Sequence, residues 1–265
     1  MNRQWLSGTV RLDHGCIAYQ RTGGDKPPLI TAHGLTDSGL CWTRTSEVLQ
    51  DKFDVIMLDA RGHGGSSLPP PNEQDDPASD LKVVCEALNL IAPVLLGHSV
   101  GGRDIAIFAN THPNIPSKVI LEDPVFLRNP RAIAPEQLTA FKDQVEKFQQ
   151  MTHAEIVSSG KAQHPTWPQE ELVPWAAAKQ KVNAEIIRYY PTRPWQQMIQ
   201  NIAAPTLLIY GEAGTDGIID NELANEVLAL NENFTKVAVS GAGHNIRREN
   251  FSAYIACIKE FIEAT

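Results

Sequence analysis

The 265-residue chain reads as an α/β protein: a mainly parallel, eight-stranded sheet flanked by helices, with a helical block inserted between two of the strands. Three observations lead there. Short β-branched runs alternate with longer amphipathic stretches, the pattern of strands crossed over by helices. That alternation breaks once, between residues 127 and 203. Hydrophobic residues make up 42% of the chain and charged residues 20%, enough apolar material for a sizeable core.

The elements follow in order. Thr9 to Leu12 and Cys16 to Tyr19 flank the turn signal Asp13-His14-Gly15, so the chain opens with a hairpin. Buried strands are expected at Pro28 to His33, Asp54 to Asp59, Pro93 to Gly97, Lys118 to Glu122, Thr206 to Tyr210 and Thr235 to Ser240. Helical periodicity marks Pro77 to Leu90, Asp104 to Asn110 and Asn250 to Glu263. Residues 127–203 hold no strand-like run. Prolines 130, 135, 165, 168, 174, 191 and 194 break this stretch into helix-like pieces, and Trp167, Trp175, Trp195, Tyr189 and Tyr190 lie in it. It is too long for an ordinary crossover and reads as a helical cap, leaving residues 1–126 and 204–265 as the core.

Charge and cysteine usage narrow the class. A net charge of −8 with no Lys/Arg-rich run argues against nucleic acid or an anionic membrane as partner. The N-terminal Met1-Asn2-Arg3-Gln4-Trp5 opening has no apolar signal region, and no stretch reaches the roughly 18 apolar residues a membrane span needs. A cytoplasmic location is the expectation. Cys16, Cys41, Cys85 and Cys257 are scattered, without the paired spacing of a zinc site or a disulfide framework, and are expected to be reduced, buried and structural.

The chemistry concentrates at Gly97-His98-Ser99-Val100-Gly101. A strand precedes this pentapeptide and a helix follows it, the context of a nucleophile elbow, in which a sharp turn lifts the serine hydroxyl above the sheet edge. The amides that open the following helix favour a developing negative charge. A serine hydroxyl needs a base, and the chain has eight histidines. His14 lies in the hairpin turn, His33 and His63 in Gly-containing loops, and His98 beside Ser99, where successive side chains diverge. His112 follows the next helix, and His153 and His164 fall in the inserted block. His244, in the loop between the last strand and the last helix, remains.

Taken in chain order, His33-Gly34, Asp59-Ala60-Arg61-Gly62-His63-Gly64-Gly65-Ser66, the Ser99 elbow and Gly241-Ala242-Gly243-His244 resemble the α/β-hydrolase fold superfamily over nearly the whole chain. The resemblance implies Ser99 as nucleophile, His244 as base, and an oxyanion hole made by the Val100 and Leu35 amides. It leaves the acid open between two strand ends. Asp123, in Leu121-Glu122-Asp123-Pro124, occupies the position a minority of members use and is preferred. Asp216 lies in the loop most members use, but five residues past Gly211 rather than three; Glu212 is a third candidate. The resemblance implies that the Asp59–His63 segment is a structural turn behind the site, while the residues Asn245 to Glu249 themselves read as a cap for the last helix with charges paired on its surface. The implied activity is a serine hydrolase cleaving a small-molecule carboxylic ester or lactone, with no metal and no organic cofactor. The aromatic residues of the insertion suit either an apolar or aromatic substrate portion or packing of the cap. A carbon–carbon bond hydrolase, a cofactor-independent oxygenase and a slow-turnover ligand receptor stay open as alternatives on the same fold. The intact Ser and His disfavour a purely structural homologue.

Overall fold

The computed structural model describes residues 5–71, 74, 76–190 and 193–264; Met1 to Gln4 and Pro191 of the sequence readings lie outside them. A hairpin of β1 (Leu6–Arg11) and β2 (Cys16–Arg21) opens the chain. Next come β3 (Pro28–Ala32), a 3-10 turn (Gly39–Trp42), α1 (Thr43–Leu49), β4 (Asp54–Leu58) and α2 (Pro77–Ala87). The centre is β5 (Val94–His98), α3 (Val100–Thr111) and β6 (Lys118–Glu122). Among the described residues between β6 and the next strand the regular elements are helical: α4 (Pro135–Gln150), α5 (His153–Gln163), α6 (Gln169–Lys179), a 3-10 turn (Ile186–Tyr189) and α7 (Gln196–Ile199). The core resumes with β7 (Thr206–Gly211), α8 (Asn221–Leu230), β8 (Phe234–Val239), α9 (Ile246–Glu249) and α10 (Phe251–Glu263).

The strands form one eight-stranded sheet in the order β1-β2-β4-β3-β5-β6-β7-β8, parallel from β4 to β8, with β2 antiparallel to both its neighbours. Every residue of β4 and β5 is buried, as expected of strands covered on both faces. Alternation along the strands splits that apolar content between two cores. Leu95, Val119, Leu121 and Leu208 face α2, α3 and α8, whereas Leu96, Ile120, Leu207 and Ile209 face Trp42, Leu49, Tyr254 and Ile258.

Helix starts and stops have local causes. Asp76 caps α2 by accepting from the Ser79 N–H at 3.2 Å, with Pro77 in the first turn. That helix ends at Ala87 rather than Leu90, because Asn89 takes a left-handed φ of 52°. Thr152 and Glu155 form a reciprocal capping box on α5. Ile156, Leu172 and Trp175 join α5 and α6 in their own apolar cluster. Phe141, Val145 and Ile186 make a second cluster that packs against Leu35 and Leu68 of the core.

Register then places the chemistry. His98 of β5 pairs with Glu122 of β6, so Ser99 and Asp123 leave adjacent parallel strands side by side at the same sheet edge. The bond from the Ser99 N–H to the Glu122 carbonyl, 3.0 Å, extends that pairing.

Candidate active site

Ser99 has φ 56° and ψ −118°, the strained turn expected where a strand must reverse at once into a helix. The turn closes because Gly97 and Gly101 carry no side chain. A Cβ at Gly97 would lie 2.5 Å from the Gly101 carbonyl oxygen, and one at Gly101 would overlap the Ala32 carbonyl. The helix begins at Val100, four residues earlier than its periodicity suggests, so the Val100 amide is a helix-opening N–H with no partner inside the helix. Leu35 follows β3, and Thr36 after it has a left-handed φ of 65°. Leu35, Ser99, Val100 and His244 all line one cavity of about 500 Å³.

Asp123 is fully buried at the end of β6 and also has a left-handed φ, of 40°. Its carboxylate accepts the Ile219 N–H at 2.9 Å through Oδ1 and the Ile218 N–H at 2.8 Å through Oδ2. Oδ2 also meets His244 Nδ1 at 2.5 Å. Since a carboxylate only accepts, Nδ1 carries the proton and Nε2 is left to take one. Asp216 lies elsewhere: its Oδ1 accepts the His244 backbone N–H at 3.0 Å. Glu212 accepts the Gly241 N–H at 2.8 Å. These two candidate acids thus brace the His244 loop through its backbone, and only Asp123 reaches the ring. Burial works against the His244 imidazolium, but the Asp123 hydrogen bond and charge, helped by Glu122 and Asp216, raise its pKa above the ordinary imidazole value.

His98 is not idle, although its ring is turned away from the role of base. Nε2 donates to the His244 carbonyl at 2.9 Å, and the two rings lie 4.8 Å apart. Burial, with Arg247 and His244 nearby, holds its pKa well below the ordinary value, so it is a neutral backbone anchor. The side chains of Asp59 and His63 are engaged in internal hydrogen bonds. Asp59 accepts from the Gly39 and Gly65 N–H groups at 2.8 and 3.0 Å. His33 Nε2 accepts the Ala60 N–H at 3.0 Å, and His63 Nε2 the Thr36 N–H at 3.3 Å. Burial pushes His63 down to about 3.

The segment after His244 corrects the sequence reading. Arg247 and Arg248 are 0% and 3% exposed, not surface charges. Arg247 pairs with Glu122 at 3.2 Å and Asp37 at 3.0 Å; Arg248 pairs with Asp37 at 2.8 Å and meets Glu171 at 3.5 Å. Lys179 of α6 joins Asp37 at 3.7 Å and donates to the Thr36 carbonyl at 3.1 Å. Despite the cost of burial, Arg248, Lys179 and Arg247 hold the Asp37 carboxyl far below its usual range. Sequence reasoning missed this network because its members come from four separate segments; the only local hint was the Arg-Arg pair immediately after His244. The aromatic residues divide between packing and site. Trp195 stacks on Phe126 in the core, while Trp167, Trp175 and Tyr190 line the cavity.

All four cysteines are free; Cys41 and Cys85 are buried, and Cys16 and Cys257 only partly so. Among the described residues, no three His, Cys, Asp or Glu side chains cluster to hold a metal ion, and no helix is long and apolar enough to cross a membrane.

An elbow serine beside a buried carboxylate–histidine pair on a parallel sheet is the arrangement of a hydrolase. A sequence model of the alpha/beta hydrolase fold family matches residues 27–250, and the chain belongs to that family. It is 29% identical over 255 residues to N-formylmaleamate deformylase of Pseudomonas putida, covering 92% of each chain. It is 26% identical over 222 residues to pimeloyl-[acyl-carrier protein] methyl ester esterase of Vibrio cholerae, covering 79% of this chain and 84% of that one. The crystal structure of E-2-(acetamidomethylene)succinate hydrolase superposes with a TM-score of 0.81 at 20% identity, covering 98% of this chain and all of that one.

Proposed function

We propose that the chain is a serine acyl hydrolase working through an acyl-enzyme, with Ser99 as nucleophile, His244 as base and Asp123 as its orienting acid. The observation that carries this reading is the 2.5 Å approach of Asp123 Oδ2 to His244 Nδ1 in the cavity that Ser99 lines. In the proposed cycle Ser99 Oγ attacks the substrate carbonyl carbon while its proton passes to His244 Nε2. The Val100 and Leu35 amides hold the oxyanion, each donor contributing about 3 kcal/mol to the transition state. His244 then protonates the leaving oxygen or nitrogen as the bond to the acyl carbon breaks. Water attacks the acyl-enzyme with its proton going to His244, and Ser99 leaves as the restored hydroxyl. The buried Asp123 stabilises the imidazolium formed in both halves.

Residues 127–203 act in this reading as a cap, since Trp167, Trp175 and Tyr190 close one side of the cavity. The bond cleaved is an ester or lactone C–O bond, as in a relative named a methyl ester esterase. A second reading, cleavage of an N-acyl bond, is favoured by the relative named a deformylase, which matches more of the chain. A panel of small esters, lactones and N-formyl or N-acetyl amides, assayed with wild type and Ser99→Ala, separates them. We expect turnover of at least one class and its loss in Ser99→Ala. Turnover that survives Ser99→Ala contradicts the nucleophile and favours chemistry driven by the histidine–acid pair alone.

A further inference from the structure

The cavity holding Ser99 has a charge opposite to that of the chain. The protein carries a net −8, yet Arg103, Arg131, Lys179, Arg193 and Arg248 line the cavity, with Asp37 the only carboxylate among its described lining residues. Three of these cations have internal work. Arg248 and Lys179 meet Asp37, and Arg103 is bound to Asp104 at 2.6 Å with its guanidinium over the Tyr190 ring. Arg131 and Arg193 differ. Both come from the segment between β6 and β7, both are exposed, and neither makes an ion pair or hydrogen bond with another described residue.

Two guanidinium groups with no ion-pair partner among the described residues, set on a concave wall, raise the local concentration of anions, and apolar neighbours such as Trp167 and Trp175 strengthen the field they project. The guanidinium fork matches a carboxylate bidentately, a geometry a lysine does not offer. At about 500 Å³ the cavity suits a small substrate, with Met198 and the tryptophans left to cover its aliphatic part. We propose that the substrate is a small carboxylate anion, an acyl ester or amide bearing a free carboxylate, and that Arg131 and Arg193 bind that carboxylate. This refines the sequence expectation of an apolar or aromatic substrate portion, and it rests on the reading of Ser99 as nucleophile.

The test is protection of Ser99 from a small neutral fluorophosphonate, followed by intact mass at constant ionic strength. Succinate should slow labelling of the wild type by about tenfold once present at about ten times its Kd. Neutral succinamide and inorganic phosphate should protect far less. Arg131→Gln/Arg193→Gln, whose exposed side chains leave the fold intact, should label at the unprotected rate with or without succinate. Protection by succinamide or phosphate equal to that by succinate overturns the proposal, as does failure of succinate to protect or undiminished protection in the double variant. In each of those cases Ser99 still labels and the hydrolase reading stands. Absence of any label on Ser99 removes both readings together.

Discussion

At residue scale, Asp123 and Asp216 both contact His244, one at the ring and one at the backbone, and that difference sets their expected contributions. Asp123→Asn keeps the size of the side chain but loses the charge that fixes the tautomer, so kcat should fall by about 10³–10⁴. Asp216→Asn weakens one backbone hydrogen bond worth about 1 kcal/mol, less than a tenfold effect. The pH profile gives a second readout. As the proposed base, His244 must be neutral to accept the Ser99 proton, and its pKa is raised, so kcat/KM should rise with pH through a value above that of an ordinary imidazole. In Asp123→Asn burial is no longer outweighed, and the acidic limb should move to lower pH. A larger loss in Asp216→Asn, or an unmoved limb in Asp123→Asn, would transfer the orienting role. The left-handed φ values at Thr36, Ser99 and Asp123 place backbone strain at three of the loops that build the site, which is where functional geometry tends to store it.

At the scale of elements, the one-turn helix α9 carries Arg247 and Arg248 inward, where Asp37 after β3, Glu122 of β6 and Glu171 of α6 meet them. This network ties the His244 loop to three other elements beneath the cavity. Removing one partner of such a buried set leaves charges uncompensated, so Asp37→Asn should cost about 3–5 kcal/mol in urea unfolding. The sign of its pH dependence follows from the depressed Asp37 pKa. Its stabilisation is complete above the ordinary carboxylate range and is lost as pH falls toward the folded value, so the variant and the wild type should converge in acid. A loss below about 1 kcal/mol at neutral pH would mean the network contributes little. The eight strands and the helices α2, α3 and α10 were legible in the sequence because each is set by its own periodicity. The inward turn of α9 was not, since an Arg-Arg-Glu run reads as solvated surface until distant acids are brought to it.

For the whole molecule, the legible part of the site was the part built from contiguous residues. The elbow around Ser99 and the loop holding His244 each announce themselves within a few positions. The proposed acid does not, because Asp123 and Asp216 both follow adjacent strands, one directly and one within a longer loop, and only the folded loop geometry decides which one faces the imidazole. The cationic cavity was equally hidden: its arginines and lysine are spread from Arg103 to Arg248 in a chain whose net charge points the other way. Such a distribution, an acidic body around a basic cleft, steers small anions inward and weakens with salt. The proposed chemistry nonetheless rests on one hydroxyl, that of Ser99. Fluorophosphonate labelling mapped by peptide mass spectrometry tests it most directly. A single adduct on Ser99, absent in Ser99→Ala and strongly slowed in His244→Ala, is the result predicted; an adduct on another residue, or labelling of Ser99 that ignores the loss of His244, would contradict it.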